Sequence, residues 1–111
     1  MTKYLISFPG DAMPVTELAA AARDSHAVVR EAQAAGVWVF GGGLDSSVAP
    51  VRVDAAGTVV TGGYPQTEHL DGGWAVLDLP SREAALEWAA KLAAACRCAQ
   101  EVRVFHDDPE S

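Results

Sequence analysis

The chain has few of the features that are typical of proteins that bind nucleic acids or membranes. Its 111 residues include 8 Lys and Arg against 15 Asp and Glu, which gives a net charge of −7. Neither a phosphate backbone nor an anionic lipid surface attracts an acidic protein. No apolar run approaches the roughly 20 residues that a membrane-spanning helix needs. The sequence therefore predicts no nucleic-acid and no membrane partner.

Cysteines and recognisable catalytic motifs are also scarce. Cys96 and Cys98 are the only cysteines, and no second pair stands at zinc-binding spacing. The first residues have a strand pattern instead of that of a signal peptide, and unpaired thiols are typical of a reducing compartment. No Gly-x-Ser-x-Gly or His-Glu-x-x-His motif is present. We expect a cytoplasmic protein with no metal and no cofactor.

Half of the residues are hydrophobic, which is enough for a core without disulfide bonds. The sequence predicts a single domain over residues 1–111, with residues 106–111 as a flexible acidic tail. Thr16 and Ser81 are predicted helix N-caps, and Gly36 is a predicted helix stop. The periodicity predicts helices over 17–35 and 81–95, strands over 3–8, 37–40, 73–79 and 101–105, and a hairpin over 48–53 and 58–61.

This order of elements predicts a particular α+β fold. Strand, helix, strand, hairpin, strand, helix and strand match the ferredoxin-like split βαβ arrangement, an antiparallel sheet with two helices on one face. The predicted strands carry apolar residues on both sides, such as Val39 against Trp38 and Phe40. Two-sided apolar strands need two covered faces, and the helices cover only one. We therefore expect a homodimer that packs sheet against sheet.

The loop from Thr61 to Val76 has the composition of a binding site. It combines glycines, aromatic rings, a histidine and carboxylates between two strands, as ligand-binding loops often do. Tyr64, Glu68, His69 and Trp74 are its candidate substrate-binding residues. Metal binding needs at least three convergent ligands, and a solvated polar loop explains this composition more simply.

His26 is the candidate catalytic residue. It lies at the border of the apolar face of the first predicted helix, where a cavity on one side and solvent on the other suit proton transfer. A working base needs an acceptor that orients it. Asp45, after the second strand, is the first choice, and Asp11, Glu68 and Asp71 remain open. A histidine that only closes the edge of the core is the alternative.

Three consecutive glycines, Gly41 to Gly43, stand between two strands. A phosphate-binding loop needs its glycines to lead into a helix, so we do not predict one here. The glycines instead indicate a β-bulge or backbone with positive φ.

Several segments in order resemble the YCII-related domain family, in the branch named for an Asp-Gly-Pro-Phe segment. The similar segments run from the opening Lys-Tyr-Leu-Ile strand through the helix with His26. They continue with Gly42-Gly43-Leu44 and the Val51-Arg52-Val53 strand, and end in the Glu101-Val102-Arg103-Val104 strand. The loop that ends in Leu70-Asp71-Gly72-Gly73-Trp74 parallels a Leu-x-Gly-Gly-aromatic run of that branch.

The resemblance implies a dimeric α+β barrel with a small-molecule pocket between sheet and helices near His26. Some relatives use a His–Asp pair, but Gly62-Gly63-Tyr64-Pro65 stands here in place of the Asp-Gly-Pro-Phe segment. Two functions remain open. One is a His-dependent acid/base enzyme that acts on a small organic substrate, and the other is a non-catalytic, dimeric ligand-sensing or regulatory module.

Overall fold

The computed structural model describes residues 1–111 and has an α+β architecture with two helices and two antiparallel sheets. The elements are β1 (Thr2–Phe8), α1 (Leu18–Ala34), β2 (Trp38–Gly43), β3 (Val51–Val53), β4 (Val59–Thr61), β5 (Gly73–Leu79), α2 (Arg82–Cys96) and β6 (Glu101–Val104). Short 3-10 turns, Val15–Glu17 and Pro65–Thr67, precede α1 and β5. No helix is long and apolar enough to cross a bilayer.

The main sheet has four strands in the order β2-β5-β1-β6, and all neighbours are antiparallel. Each helix therefore connects two parallel strands that have a third strand between them. This is a split βαβ unit used twice, consistent with the predicted ferredoxin-like fold. Strands β3 and β4, which lie between β2 and β5 in the sequence, form a separate two-stranded sheet.

The core lies between the helices and one face of the main sheet. Alternate residues of β5 are buried there, because successive side chains of a strand point to opposite faces. On α2 the buried positions have helical spacing, and Leu86 lies on the exposed side. The core cluster comprises Tyr4, Ile6, Ala32, Ala75, Leu77, Leu79, Ala85, Ala89 and Leu92.

The helix ends follow most of the predicted capping signals. The Ser81 hydroxyl accepts a hydrogen bond from the Ala84 amide at the start of α2. Gly36, with φ 74°, follows the end of α1 as predicted. The N-cap prediction for Thr16 is wrong, since Thr16 lies inside a 3-10 turn and α1 begins at Leu18 without a side-chain cap.

The opposite face of the main sheet, here called the outer sheet face, carries no helix. The register places Leu5, Phe40 and Val76 together on it, and the alternation adds Phe105 at its margin. The Phe40 side chain is 71% exposed. The molecule measures 43 × 41 × 20 Å, with a radius of gyration of 15.3 Å. A compact domain of this length has a radius of gyration of about 13 Å, so the shape is flat and expanded.

Candidate functional site

A cavity of about 350 Å³ lies between α1 and the helix-facing side of the main sheet. Its wall is mostly apolar and includes no Asp, Glu, Lys or Arg. Ligand pockets of proteins span about 300–1,000 Å³, so this one is of a size for a small molecule. Its polar side chains are Ser25, His26, Cys96 and Gln100.

Helix α1 places His26 at the exposed rim of this cavity. Ala22, Ser25, His26 and Val29 all line it, and their spacing of three and four residues puts them on one face of the helix. This is the border position that the sequence predicts. The buried Ala32 continues the helix into the core and holds this face in place. The imidazole thus meets both solvent and the apolar interior.

Strand β2 forms part of the wall through its glycines. The register with β5 shifts between Trp38 and Phe40, so a β-bulge precedes the glycine run. Trp38 and Gly41 both line the cavity. A Cβ on Gly41 would lie 2.5 Å from the Trp38 ring and 2.6 Å from the Trp74 carbonyl oxygen. Close approach, rather than positive φ, therefore explains a glycine at this position.

The end of α2 closes the cavity on another side. Cys96 is buried in the wall, and burial raises the pKa of its thiol. Gln100 also lines the cavity and donates from Nε2 to the Cys98 carbonyl, 3.2 Å away. No motif in the sequence identified Gln100, because a single polar residue before a strand has no distinctive pattern.

Arg97 fixes this end of α2 to α1. Its backbone is left-handed, with φ 58°, and its guanidinium lies 2.9 Å from the Asp24 carboxylate and 3.5 Å from that of Glu17. Hydrogen bonds from Arg23 and Arg97 hold the pKa of Asp24 below its usual value. Asp24 and Arg97 are direct neighbours of wall residues Ser25 and Cys96, so this ion pair helps to set the width of the cavity.

Asp45, the first choice for the acid partner, has another role in this structure. Its carboxylate accepts hydrogen bonds from the Ser47 hydroxyl at 2.6 Å and the Ser47 amide at 2.9 Å. These two bonds lower the pKa of Asp45. Asp45 is exposed and is not part of the cavity wall. No carboxylate oxygen of the chain lies within 4.0 Å of a ring nitrogen of His26.

The loop residues Tyr64, Glu68 and His69 lie outside the cavity wall. His69 Nε2 pairs with the Glu68 carboxylate at 3.2 Å, and both side chains are exposed. The Tyr64 ring lies under the Arg52 guanidinium, 6.0 Å from the ring centroid. A role for these three residues in binding stays a prediction that the position of the cavity does not support.

Trp74 is the one candidate of this loop that the cavity includes. Trp74 pairs in register with Ser7 of β1, and its indole Nε1 donates to the Leu70 carbonyl at 3.0 Å. The loop is also tied to the segment after β1, because the Gly10 amide donates to the Asp71 carboxylate at 2.9 Å. The loop is therefore held to itself and to the segment after β1 by these hydrogen bonds.

No group of three or more His, Cys, Asp or Glu side chains is arranged to hold a metal ion. Comparison of the sequence with protein-family models finds no matching family, and comparison with curated proteins finds no relative. The geometry of the site allows it to hold an apolar group and to offer one imidazole, one amide, one hydroxyl and one thiol to it.

Proposed function

We propose that this protein is a homodimeric small-molecule-binding domain, similar to YCII-related proteins, whose ligand occupies the cavity beside His26. The observation that carries the proposal is the position of His26 at the rim of a mostly apolar cavity without any charged side chain. A concave, mostly apolar wall with a few polar groups is the usual form of a ligand site.

The composition of the wall favours a neutral ligand with about one ring. An anion would meet no Lys or Arg in the wall and would be disfavoured by the net charge of −7. A phenol or a small aryl ketone could stack its ring against Trp38 and Phe8. Its oxygen could then exchange a hydrogen bond with His26 or Gln100.

The exposed area supports the homodimer. The chain exposes 7460 Å², whereas a monomeric protein of 11.6 kDa exposes about 5,800 Å². The excess of about 1,600 Å² is larger than the roughly 800 Å² that each partner of a standard interface buries. Phe40 and Phe105 place part of the exposed apolar area on the outer sheet face, which suits packing of two sheets.

Binding can be tested with phenol and benzoate as neutral and anionic probes of the same ring size. We expect phenol to shift the amide resonances of residues around His26 in an NMR titration, and benzoate to bind more weakly. His26→Ala should weaken phenol binding. His69→Ala is the matched control, because His69 is an exposed histidine outside the cavity. Equal phenol affinity in both variants would refute a ligand site at His26.

A His-dependent enzyme is the second candidate, favoured by the position of the His26 imidazole at the rim of the cavity. An imidazole at that position can take a proton from a bound carbon acid, whereas the lack of a carboxylate that orients it favours the non-catalytic module. Acetophenone in D₂O provides the test, with loss of its α-proton signal followed by NMR. Faster exchange that His26→Ala abolishes supports the enzyme. Binding of acetophenone without faster exchange supports the non-catalytic module.

A further inference from the structure

The β3–β4 hairpin is well formed, yet it is separate from the rest of its own chain. Asp54 accepts hydrogen bonds from the Ala56 and Thr58 amides in its turn, and Gly57 takes the positive φ that the turn requires. At its base the Gly62 amide donates to the Pro50 carbonyl. Neither strand pairs with the main sheet or packs extensively on another helix or strand.

One face of this hairpin is an exposed apolar strip. The register pairs Val53 with Val59 and Val51 with Thr61, which places these four side chains on the same face. The three valines are 53–62% exposed. The opposite face carries Arg52 and Val60. A lone two-stranded hairpin is marginally stable in water, so an uncovered strip of this kind needs a partner surface.

We infer that the hairpin is an exchanged arm, which packs its valine strip on the β2 edge of the main sheet of a second copy, beside Phe40. This inference rests on the proposed homodimer and adds a second contact region to it. The flat shape and the excess exposed area indicate that the dimer buries more surface than the outer sheet face alone. In a two-fold dimer each copy gives an arm and receives one, so both strips are covered at once.

The receiving surface has matching chemistry. Strand β2 is an edge of the main sheet, and Val39 and Phe40 on it are both exposed. An apolar edge strand promotes uncontrolled association unless something covers it. Leu44 and Val48, in the segment that joins β2 to the arm, are exposed as well.

A charge introduced into the strip tests the arm, and the same charge on the opposite face of the hairpin is the control. Val59→Asp places a carboxylate in the strip, whereas Val60→Asp makes the same change on the opposite face. We expect Val59→Asp to raise the dimer dissociation constant, measured by sedimentation equilibrium, about tenfold or more, as loss of a central interface contact does. Val60→Asp should leave it within about threefold. Equal effects of the two variants would overturn the inference.

Two further measurements separate failure of the arm from failure of the dimer. Phe40→Asp on the outer sheet face should weaken the dimer in either case. A dimer that Phe40→Asp disrupts and Val59→Asp does not would keep the proposed dimer and remove the arm. Wild-type protein that is monomeric both at millimolar concentration and after 100-fold dilution would remove the arm and the dimer. In protein that carries a photoreactive amino acid in place of Val53 and is mixed from ¹⁴N and ¹⁵N chains, crosslinks should join light to heavy chains, and crosslinks only within a chain would also overturn the arm.

Discussion

Replacing Gly41 with alanine should destabilise the protein, although alanine usually stabilises a strand relative to glycine. The new methyl carbon would lie 2.6 Å from the Trp74 carbonyl oxygen and 2.5 Å from the Trp38 ring. The ring can rotate away, but the carbonyl belongs to the neighbouring strand. The bulged edge of β2 must therefore move away from β5, which opens the wall of the cavity.

Gly42→Ala provides the control and fixes the expected magnitude. A Cβ on Gly42 would meet no atom within 4 Å, and the residue does not have positive φ. Both alanines gain the same backbone term of roughly 0.5–1 kcal/mol, because both remove flexibility from the unfolded chain. That term cancels in the comparison. The difference in unfolding free energy is then the overpacking strain at Gly41, about 1–3 kcal/mol.

Urea denaturation of the two variants measures this difference directly. We expect the midpoint for Gly41→Ala to fall below wild type and that for Gly42→Ala to equal or exceed it, with the same dependence on urea. Gly41→Ala should bind phenol more weakly than wild type, and Gly42→Ala should bind it as tightly as wild type. Only the alanine at position 41 collides with neighbouring atoms and displaces the cavity wall. Equal midpoints would refute the close approach of β2 and β5 at this position.

Three other outcomes are expected. Leu77→Ala should lower the unfolding free energy by about 2–5 kcal/mol in urea denaturation, whereas Leu86→Ala, on the exposed side of α2, should have little effect. Asp45→Asn should lower stability at pH 7 and lose this effect as the pH falls through the lowered pKa of Asp45, because a carboxylate with a depressed folded pKa stabilises only while it is ionised. Iodoacetamide should modify Cys96 and Cys98 in the native protein at pH 7.5 far more slowly than in urea, since burial raises the pKa of both thiols; rapid native alkylation of Cys96 would show that it is not buried in the wall.

Local signals predicted most of the fold. Ser81 and Gly36 bound their helices because capping chemistry depends on a few adjacent residues. The bounds of β5 were predicted as 73–79, because glycines and Pro80 mark the two ends of its apolar run. The start of α1 was misplaced at Thr16, because the chain enters that helix through a 3-10 turn. Arg97 was also missed as the end of α2, since glycine is the usual signal for a left-handed residue there.

The site was predicted less completely than the fold. His26 was found because helical spacing shows which face a residue occupies. Asp45 and His69 were chosen from their residue type and position in loops, and loop conformation depends on contacts that sequence spacing does not encode. Asp45 has Ser47 as its partner, and His69 has Glu68. Gln100 reaches the cavity only through the packing of α2 on the sheet.

At Arg97 the left-handed backbone favours glycine, but the ion pairs need an arginine side chain. Glycine would relax the main chain there, while the long guanidinium side chain links α2 to Asp24 on α1 and to Glu17 in the 3-10 turn before it. A selection for thermostability alone can therefore accept Arg97→Gly, and the helices would then keep their core packing and the Lys91–Glu31 ion pair but lose the Arg97–Asp24 link. Variants of this protein that tolerate more heat and bind ligands less selectively would be expected to carry changes at this residue.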